Sequence, residues 1–336
     1  MRYLKIWIVF SLALVVLAVS VSSEPASTRK VELLMDWVPN TNHTGIYVAM
    51  EKGWYEEAGV QLELIEPAGE VSVEKVVGAG KADFGISFQE WATSAMAEGV
   101  PIVSLAAVIQ ENTSGFASLK EKGLERPRDF AGATYGGWGL PIEKEILKAL
   151  VEGDGGDFPE LNFVNIGKGD LLTMLAQEKF DIAWIYYGWD GIQAELRGLE
   201  LNLVMLKDYQ ELVPNYYTPI IISSREYVEQ NTEIVEGFMA ATSRGYSFAI
   251  ENPDEAAEIL LEYTPEADPQ LVKNSQEWLS PRYQEDAPYW GRQELSVWKE
   301  FGNWMSDQGL IEGEFDPERA FTNEFLPETK AENEEQ

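Results

Sequence analysis

The arrangement of apolar segments restricts the fold of this chain more than any other feature of its sequence. From Lys30 onward, short apolar runs of strand length alternate with segments that have helical periodicity. Such alternation is typical of βαβ units, in which helices cover a mostly parallel sheet. The sequence therefore predicts an α/β protein.

The alternation occurs in two successive series, which predicts two sheets. The first series has predicted strands at 31–35, 60–64, 82–87 and 102–109, with helices at 44–52, 73–77 and 88–97. The second has predicted strands near Ala133 and at 161–166, 182–186 and 201–206, with helices at 141–153, 171–177 and 192–196. From Glu233 onward the chain is predicted to be helical, with Asn252-Pro253, Thr264-Pro265 and Ser280-Pro281 at the helix boundaries.

The simplest architecture for two such series has two lobes, the second inserted into the first. Lobe 1 is predicted to comprise residues 30–113 and 216–323, and lobe 2 residues 114–215. Two strands that cross between the lobes would form the hinge. Residues 324–336 are rich in glutamate and are predicted to be a disordered acidic tail.

The N-terminal residues predict export. Arg2 and Lys5 precede an apolar run at 6–19, and small residues follow it, so residues 1–23 have the pattern of a secretory signal peptide. An uncleaved anchor is the alternative, although the run is short for a bilayer span. The chain has no cysteine to carry a lipid at the cleavage point, so we expect a free, periplasmic protein.

Composition excludes several kinds of chemistry and of partner. With no cysteine and one histidine, His43, the chain cannot build a thiolate site, a multi-histidine metal centre or a cysteine nucleophile. The net charge of −32 argues against nucleic acid and anionic membranes as partners. We expect a monomer that needs no cofactor and catalyses no reaction.

Polar and aromatic residues gather where the predicted strands end. In open α/β sheets the ligand crevice lies beyond the carboxyl ends of the strands, so these positions are the candidate binding site. The candidate ligand-binding residues are Trp37, Asn40, His43, Gln89, Glu90, Asn112, Gly137, Trp138, Tyr186, Tyr187 and Asp190.

The chemistry of these loops suits a flat, nitrogen-rich ring. Aromatic faces stack on heterocycles, amides offer donors and acceptors, and carboxylates accept bonds from ring amino groups. The five loops contain no arginine or lysine, which disfavours a sulfonate, nitrate or phosphate ligand. Lys168, between two glycines, would be the exception if it met a phosphate; the alternative is a solvated turn residue.

Each candidate also has a structural alternative. Trp37, Trp91, Trp138, Tyr186 and Trp189 would serve equally as lids on the core, and His43 as the first residue of a helix. The segment Gly136-Gly137-Trp138-Gly139 has neither the dinucleotide nor the Walker spacing, and its backbone amides are expected to approach a ligand.

Five segments carry a family resemblance. They are Asp36-Trp37-Val38-Pro39-Asn40-Thr41-Asn42-His43-Thr44-Gly45, Lys81-Ala82-Asp83-Phe84-Gly85-Ile86, Gln110-Glu111-Asn112-Thr113-Ser114-Gly115, Tyr187-Gly188-Trp189-Asp190 and Arg244-Gly245-Tyr246-Ser247-Phe248-Ala249-Ile250. The sequence resembles the ThiY-like thiamine-pyrimidine precursor binding proteins, in the wider group that includes the yeast-type pyrimidine synthase. The resemblance covers nearly the whole mature chain.

The resemblance implies a type II periplasmic-binding-protein fold. It also implies delivery of formylaminopyrimidine or hydroxymethylpyrimidine to an ABC permease with its ATPase subunits, for thiamine salvage. By position in the matching motifs, Trp37 and either Tyr186 or Tyr187 would sandwich the ring. Asn40, Tyr187, Asp190 and Glu195 would form hydrogen bonds with its edge.

Two alternatives stay open. The synthase branch of the group supplies a histidine to build the pyrimidine and uses pyridoxal phosphate and iron, and His43 lies in the shared motif; the signal peptide and the lack of cysteines argue against it. The other alternative is a binding protein of the same fold for riboflavin or another aromatic nutrient. Whether the binding protein takes a pyrimidine or another aromatic nutrient, its lobes would close over the ligand.

Overall fold

The computed structural model describes residues 28–67, 71–167 and 169–327. The predicted signal peptide, Lys168 and residues 328–336 of the predicted tail lie outside the described residues. The strands are β1 Arg29–Leu34, β2 Val60–Ile65, β3 Phe84–Ser87, β4 Ile102–Ala107, β5 Ser114–Leu119, β6 Thr134–Gly137, β7 Asn162–Asn165, β8 Ile182–Tyr186, β9 Leu201–Met205 and β10 Ile220–Ser224.

Twelve α-helices lie within the described residues. They are α1 Thr44–Glu51, α2 Trp54–Glu57, α3 Val73–Gly78, α4 Gln89–Ala97, α5 Pro141–Gly153, α6 Leu171–Ala176, α7 Ile192–Leu196, α8 Arg225–Gln230, α9 Thr232–Glu251, α10 Pro253–Tyr263, α11 Pro269–Leu279 and α12 Leu295–Asp307. Proline occupies the first turn of α5, α10 and α11, where its missing N–H costs no hydrogen bond.

The ten strands form two sheets of five with the same topology. The first sheet has the order β2-β1-β3-β10-β4 and the second β7-β6-β8-β5-β9. In each sheet four strands point one way and one strand, β10 or β5, is antiparallel to its neighbours. The prediction of an α/β protein with two mostly parallel sheets is confirmed.

The sequence analysis did not predict the two antiparallel strands, β5 and β10. Each is the first strand after the chain passes from one sheet to the other. β5 is rich in small residues and is buried along nearly its whole length, so it shows no alternation. In β10 the run of three isoleucines carries a clear strand signal, but it directly follows Pro219, and no strand or helix was predicted between residues 206 and 233.

Helix α12 joins the two halves of the molecule. Its Trp298 lies in an apolar cluster with residues of the first sheet, such as Ile220 and Ala107. Phe301, one turn later, and Met305, two turns later, lie in the core of the second sheet. The prediction that assigns all of 216–323 to lobe 1 therefore places in that lobe a helix that contacts both cores.

A close crossing of α1 and α9 explains one of the resemblance motifs. A Cβ at Gly245 would lie 1.9 Å from the carbonyl oxygen of Gly45, and a Cβ at Gly45 would lie 2.3 Å from the ring of Tyr246. The ring of Tyr246 stacks on Trp290 with centroids 4.3 Å apart, and its hydroxyl donates to the carbonyl of Asn42 at 2.7 Å. The crossing thus supports the loop that follows β1.

Candidate functional site

The carboxyl ends of strands from both sheets meet at one group of buried and half-buried polar side chains. We call Asp36, Glu90, Asn112, Tyr186, Tyr216 and Thr218 the polar cluster. Tyr186 ends β8 of the second sheet, and its phenol lies near Glu90 and Asp36, which follow strands of the first sheet. Burial, and then the Glu90 carboxylate, raises the pKa of Tyr186 above its ordinary range. The cluster therefore spans the two halves of the molecule.

The loop after β1 orients Asp36 through His43. The backbone N–H of Asn40 donates to His43 Nδ1 at 3.2 Å, so Nε2 carries the hydrogen and donates to Asp36 Oδ1 at 2.8 Å. The Asn40 side chain caps the next turn by accepting from the N–H of Asn42 at 2.9 Å. His43 is fully buried and both of its ring nitrogens are engaged, so it positions Asp36. Trp37 in the same loop is 63% exposed.

Gln89 and Glu90 begin α4 and have different surroundings. Gln89 Oε1 accepts from the N–H of Tyr217 at 2.7 Å, and its amide nitrogen lies 3.5 Å from the carbonyl of Val297. Gln89 thus ties α4 to the segment before β10. Glu90 is buried, and burial raises the pKa of its carboxyl to about 8, with a further contribution from Glu74.

Four atoms of the polar cluster are buried without a hydrogen-bond partner among the described residues. They are Glu90 Oε2, Asn112 Nδ2, Tyr216 Oη and Thr218 Oγ1. Asn112 uses only its oxygen, which accepts from the N–H and the hydroxyl of Ser114 at 2.8 and 2.6 Å. Buried polar groups in proteins are nearly always satisfied, so this set of donors and acceptors is the candidate position for a polar ligand or for water.

The two adjacent tyrosines point to different partners. The N–H of Tyr186 donates to Asp190 Oδ2 at 3.0 Å, and burial raises the pKa of Asp190 to about 6. The ring of Tyr187 packs on Trp278 with centroids 4.9 Å apart, and its hydroxyl donates to Glu195, which is exposed. The structure therefore places Tyr186 in the polar cluster, and Tyr187 with Glu195 outside it.

A π-helical turn, Tyr187–Gly191, produces this arrangement directly after β8. Such turns occur frequently at functional sites because the extra residue redirects side chains. The hydroxyl of Ser275 on α11 donates to the carbonyl of Gly188 and lies 2.6 Å from Thr41 Oγ1. The turn is thus connected to the loop after β1 across the two sheets.

The glycine segment after β6 contradicts one expectation. The backbone N–H groups of Trp138, Gly139 and Leu140 donate to the Glu143 carboxylate at 3.0, 3.0 and 3.2 Å. Because Glu143 satisfies these amides, they do not approach a ligand as predicted. Gly137 is required by packing, since a Cβ there would lie 2.4 Å from the Tyr135 ring. The Trp138 side chain is 44% exposed.

Three members of the polar cluster were absent from the predicted set. Asp36 directly follows β1 and was quoted only as part of a motif. Tyr216 and Thr218 precede β10, so their position became visible only with that strand. A search for polar residues flanking the Ile220–Ile222 run would have found both.

Two further observations bear on the chemistry of the described part of the chain. It contains no group of three or more histidine, cysteine, aspartate or glutamate side chains arranged to hold a metal ion. No helix within it combines the length and the apolar composition that a membrane crossing requires. The polar cluster itself offers carboxylates, phenols, an amide and a hydroxyl.

Comparisons with known proteins support the fold and the family. A family model described as NMT1/THI5 like matches residues 40–256. The formylaminopyrimidine-binding protein of Halalkalibacterium halodurans is 27% identical over 307 residues, which cover 90% of this chain and 92% of that protein. The 4-amino-5-hydroxymethyl-2-methylpyrimidine phosphate synthase of Legionella pneumophila is 29% identical over 307 residues, covering 89% and 93%.

A solved structure has the same architecture. The periplasmic aliphatic sulphonate binding protein SsuA of Escherichia coli superposes with a TM-score of 0.67 at 13% identity, covering 88% of this chain and 92% of that one. This likeness confirms the predicted periplasmic-binding-protein fold. The family model spans well over half of the sequence, and the suspected resemblance is thereby confirmed. The chain belongs to the NMT1/THI5-like family.

Proposed function

We propose that this protein is the solute-binding subunit of an ABC importer and captures a thiamine pyrimidine precursor, formylaminopyrimidine or hydroxymethylpyrimidine, for thiamine salvage. The observation that carries the proposal is the set of four polar atoms that are buried between the two sheets and have no hydrogen-bond partner in the described part of the chain. A ring with nitrogen acceptors and an amino donor would satisfy donors and acceptors of this kind. The name of the Halalkalibacterium relative, which binds formylaminopyrimidine, supports the same ligand class.

The ring is proposed to stack between Trp37 and Tyr186, one from each sheet. Trp37 is exposed and therefore free to move onto a ligand, whereas the phenol of Tyr186 already lies in the polar cluster. Asn40 and Asp190 are proposed to contact the edge of the ring. Tyr187 and Glu195 are proposed to act indirectly, by holding the π-helical turn against α11.

Binding is proposed to close the two lobes about the strands that connect them. Lobe 1 would comprise 30–113 with 216–323, and lobe 2 114–215, with α12 contacting both. Contacts from both lobes to one ligand exist only in the closed state, so occupancy favours closure. The closed, exported monomer would then dock onto a permease whose ATPase subunits supply the energy.

A binding role is favoured over the synthase alternative by the state of His43. A histidine that supplies its ring atoms to a product has to be accessible. His43 is fully buried, and both of its ring nitrogens are in hydrogen bonds with Asn40 and Asp36. The protein is therefore proposed to perform no chemistry on its ligand.

A ligand panel tests this function. Mature protein freed of carried-over ligand is titrated calorimetrically with formylaminopyrimidine, hydroxymethylpyrimidine, thiamine, riboflavin and taurine. We expect binding of at least one of the two pyrimidines and none of taurine, because the cluster contains no cation for a sulfonate. Binding of riboflavin with no response to either pyrimidine would show that the protein binds riboflavin and not a pyrimidine precursor. Conversion of a pyrimidine precursor or loss of His43 during incubation would establish an enzyme.

A further inference from the structure

Glu90 is the most unusual group of the polar cluster. It lies in the first turn of α4, it is 5% exposed, and its Oε2 has no hydrogen-bond partner within the described ranges. A carboxylate at a helix N-terminus normally faces solvent or caps the helix, whereas this one is buried and its carboxyl interacts with its own backbone N–H. A buried acid that keeps one oxygen without a hydrogen-bond partner in the described part of the chain is a candidate for ligand recognition.

The surroundings of Glu90 disfavour a negative charge. The titratable groups that face it are Glu74 from α3, Tyr186 from β8 and Tyr216 from the segment before β10. Glu74 is itself buried and accepts from the hydroxyls of Ser72, at 2.7 Å, and Ser87. An ionised Glu90 would be a buried charge beside a second carboxylate, which is costly.

Burial accordingly raises the pKa of Glu90 to about 8, so that most of it is a neutral acid near pH 7. A neutral carboxylic acid has one O–H donor and one carbonyl acceptor side by side. This pair matches an amidine edge, in which a ring nitrogen lies next to an exocyclic amine. The O–H donates to the ring nitrogen and the carbonyl accepts from the amine.

We propose that Glu90 is a specificity-determining residue that reads the amidine edge of the ligand as a neutral acid, with the amide nitrogen of Asn112 as a neighbouring donor. This inference rests on the proposed function and narrows its ligand to aminopyrimidines that keep the amine beside a free ring nitrogen. Asn112 fits the role because its oxygen is already held by Ser114 and only its nitrogen is left.

The pairing has a defined dependence on pH. The bound state keeps the proton in the pair, whereas the free protein loses it as the pH rises through the pKa of Glu90. Affinity should therefore be flat from pH 7 to about 8 and then fall by about tenfold per pH unit, because only the protonated fraction is competent to bind. If replacing Glu90 removes this fall in affinity at high pH, the fall is due to Glu90 and not to Glu74, Tyr186 or Tyr216.

Two substitutions and one ligand analogue test the inference. Glu90→Gln keeps a donor and an acceptor side by side, and Glu90→Ala removes both. With 4-amino-5-hydroxymethyl-2-methylpyrimidine as the probe, we expect Glu90→Gln to bind within about fivefold of the wild type at pH 7 and to lose its pH dependence up to pH 10. Glu90→Ala should bind at least about 30-fold more weakly, because it leaves ligand groups unsatisfied. Glu152→Gln, an exposed position on α5, is the matched control.

The same probe with hydrogen in place of the 4-amino group should bind the wild type at least about 30-fold more weakly. Equal affinity of the two compounds, equal losses in Glu90→Gln and Glu90→Ala, or a pH-independent wild type would each overturn the role of Glu90 while leaving the proposed function intact. A wild type that binds neither compound would overturn both. Thermal unfolding of each variant verifies that it is folded.

Discussion

At the scale of single residues, the residues of the candidate site differ in whether their polar atoms already form hydrogen bonds with neighbouring protein atoms. His43, Gln89 and Glu143 are buried and fully committed to neighbouring atoms, so they shape the site without facing a ligand. Within residues 28–67, 71–167 and 169–327, Glu90 and Asn112 each keep one buried atom without a partner. Residue type alone does not separate these groups, because an amide or a carboxylate at a strand end serves either purpose.

Asp190 provides a stability test of the electrostatics at this scale. Burial raises its pKa from the ordinary 3.8 to about 6. Stability is therefore fully present below pH 3.8 and decreases as the pH rises through 6, where the folded state must ionise a buried group. Asp190→Asn keeps an acceptor for the N–H of Tyr186. We expect this variant to exceed the wild type in free energy of unfolding by about 1–2 kcal/mol at pH 8, a value reduced for partial exposure.

Urea unfolding at pH 4 and pH 8 measures the effect. The difference between variant and wild type should be close to zero at pH 4 and positive at pH 8. A variant that is less stable at pH 8 would show that the Asp190 charge contributes favourably to the fold, contrary to this account.

At the scale of helices and strands, periodicity predicted most of the fold. The parallel strands and their covering helices were found because apolar runs alternate with helical segments, as in β8 and α5. β5 and β10 were missed because one is a run of small buried residues and the other begins at a proline. Those two strands are antiparallel, and local sequence contains no information about which neighbour a strand pairs with.

The crossing of α1 and α9 gives a test at this scale. Gly245→Ala improves helix propensity by about 1 kcal/mol, but its Cβ would lie 1.9 Å from the carbonyl oxygen of Gly45. The backbone at Gly45 cannot move aside locally, so the steric clash outweighs the gain in helix propensity. We therefore expect a net destabilisation of about 2–3 kcal/mol. Ser247→Ala, two residues along the same helix and half-exposed, is the matched control.

Thermal or urea unfolding of the two variants distinguishes the effects. Gly245→Ala should unfold at a lower temperature than the wild type, while Ser247→Ala should differ by less than about 0.5 kcal/mol. A stabilised Gly245→Ala would mean that the helices separate easily and that the motif at 244–250 has a role other than packing.

At the scale of the whole molecule, the two sheets are linked by more than the two chain segments that connect them, 108–113 and 206–219. Tyr216 of the polar cluster stacks on Phe301 of α12 with ring centroids 4.2 Å apart, and α12 also packs on the first sheet. The proposed closure of the lobes would therefore have to carry this helix or bend around it. The sequence predicted two lobes, but it contains no periodic signal for a helix shared between two cores.

The candidate site was predictable to a similar extent. Strand ends identified Glu90, Asn112 and Tyr186 because the carboxyl ends of parallel strands converge in open sheets. The choice between Tyr186 and Tyr187 could not be made from sequence, since it depends on the π-helical turn after β8. Tyr216 and Thr218 depended on the unpredicted strand β10.

The most direct test of the central claim is a calorimetric titration of formylaminopyrimidine and hydroxymethylpyrimidine into the wild type, Tyr186→Ala and Tyr187→Ala. The claim is that the ligand binds in the polar cluster between the sheets. It predicts that the wild type binds one of the pyrimidines, that Tyr186→Ala binds it at least about tenfold more weakly, and that Tyr187→Ala stays within about threefold. A wild type that binds neither compound, or a Tyr187→Ala loss that exceeds the loss in Tyr186→Ala, would contradict it.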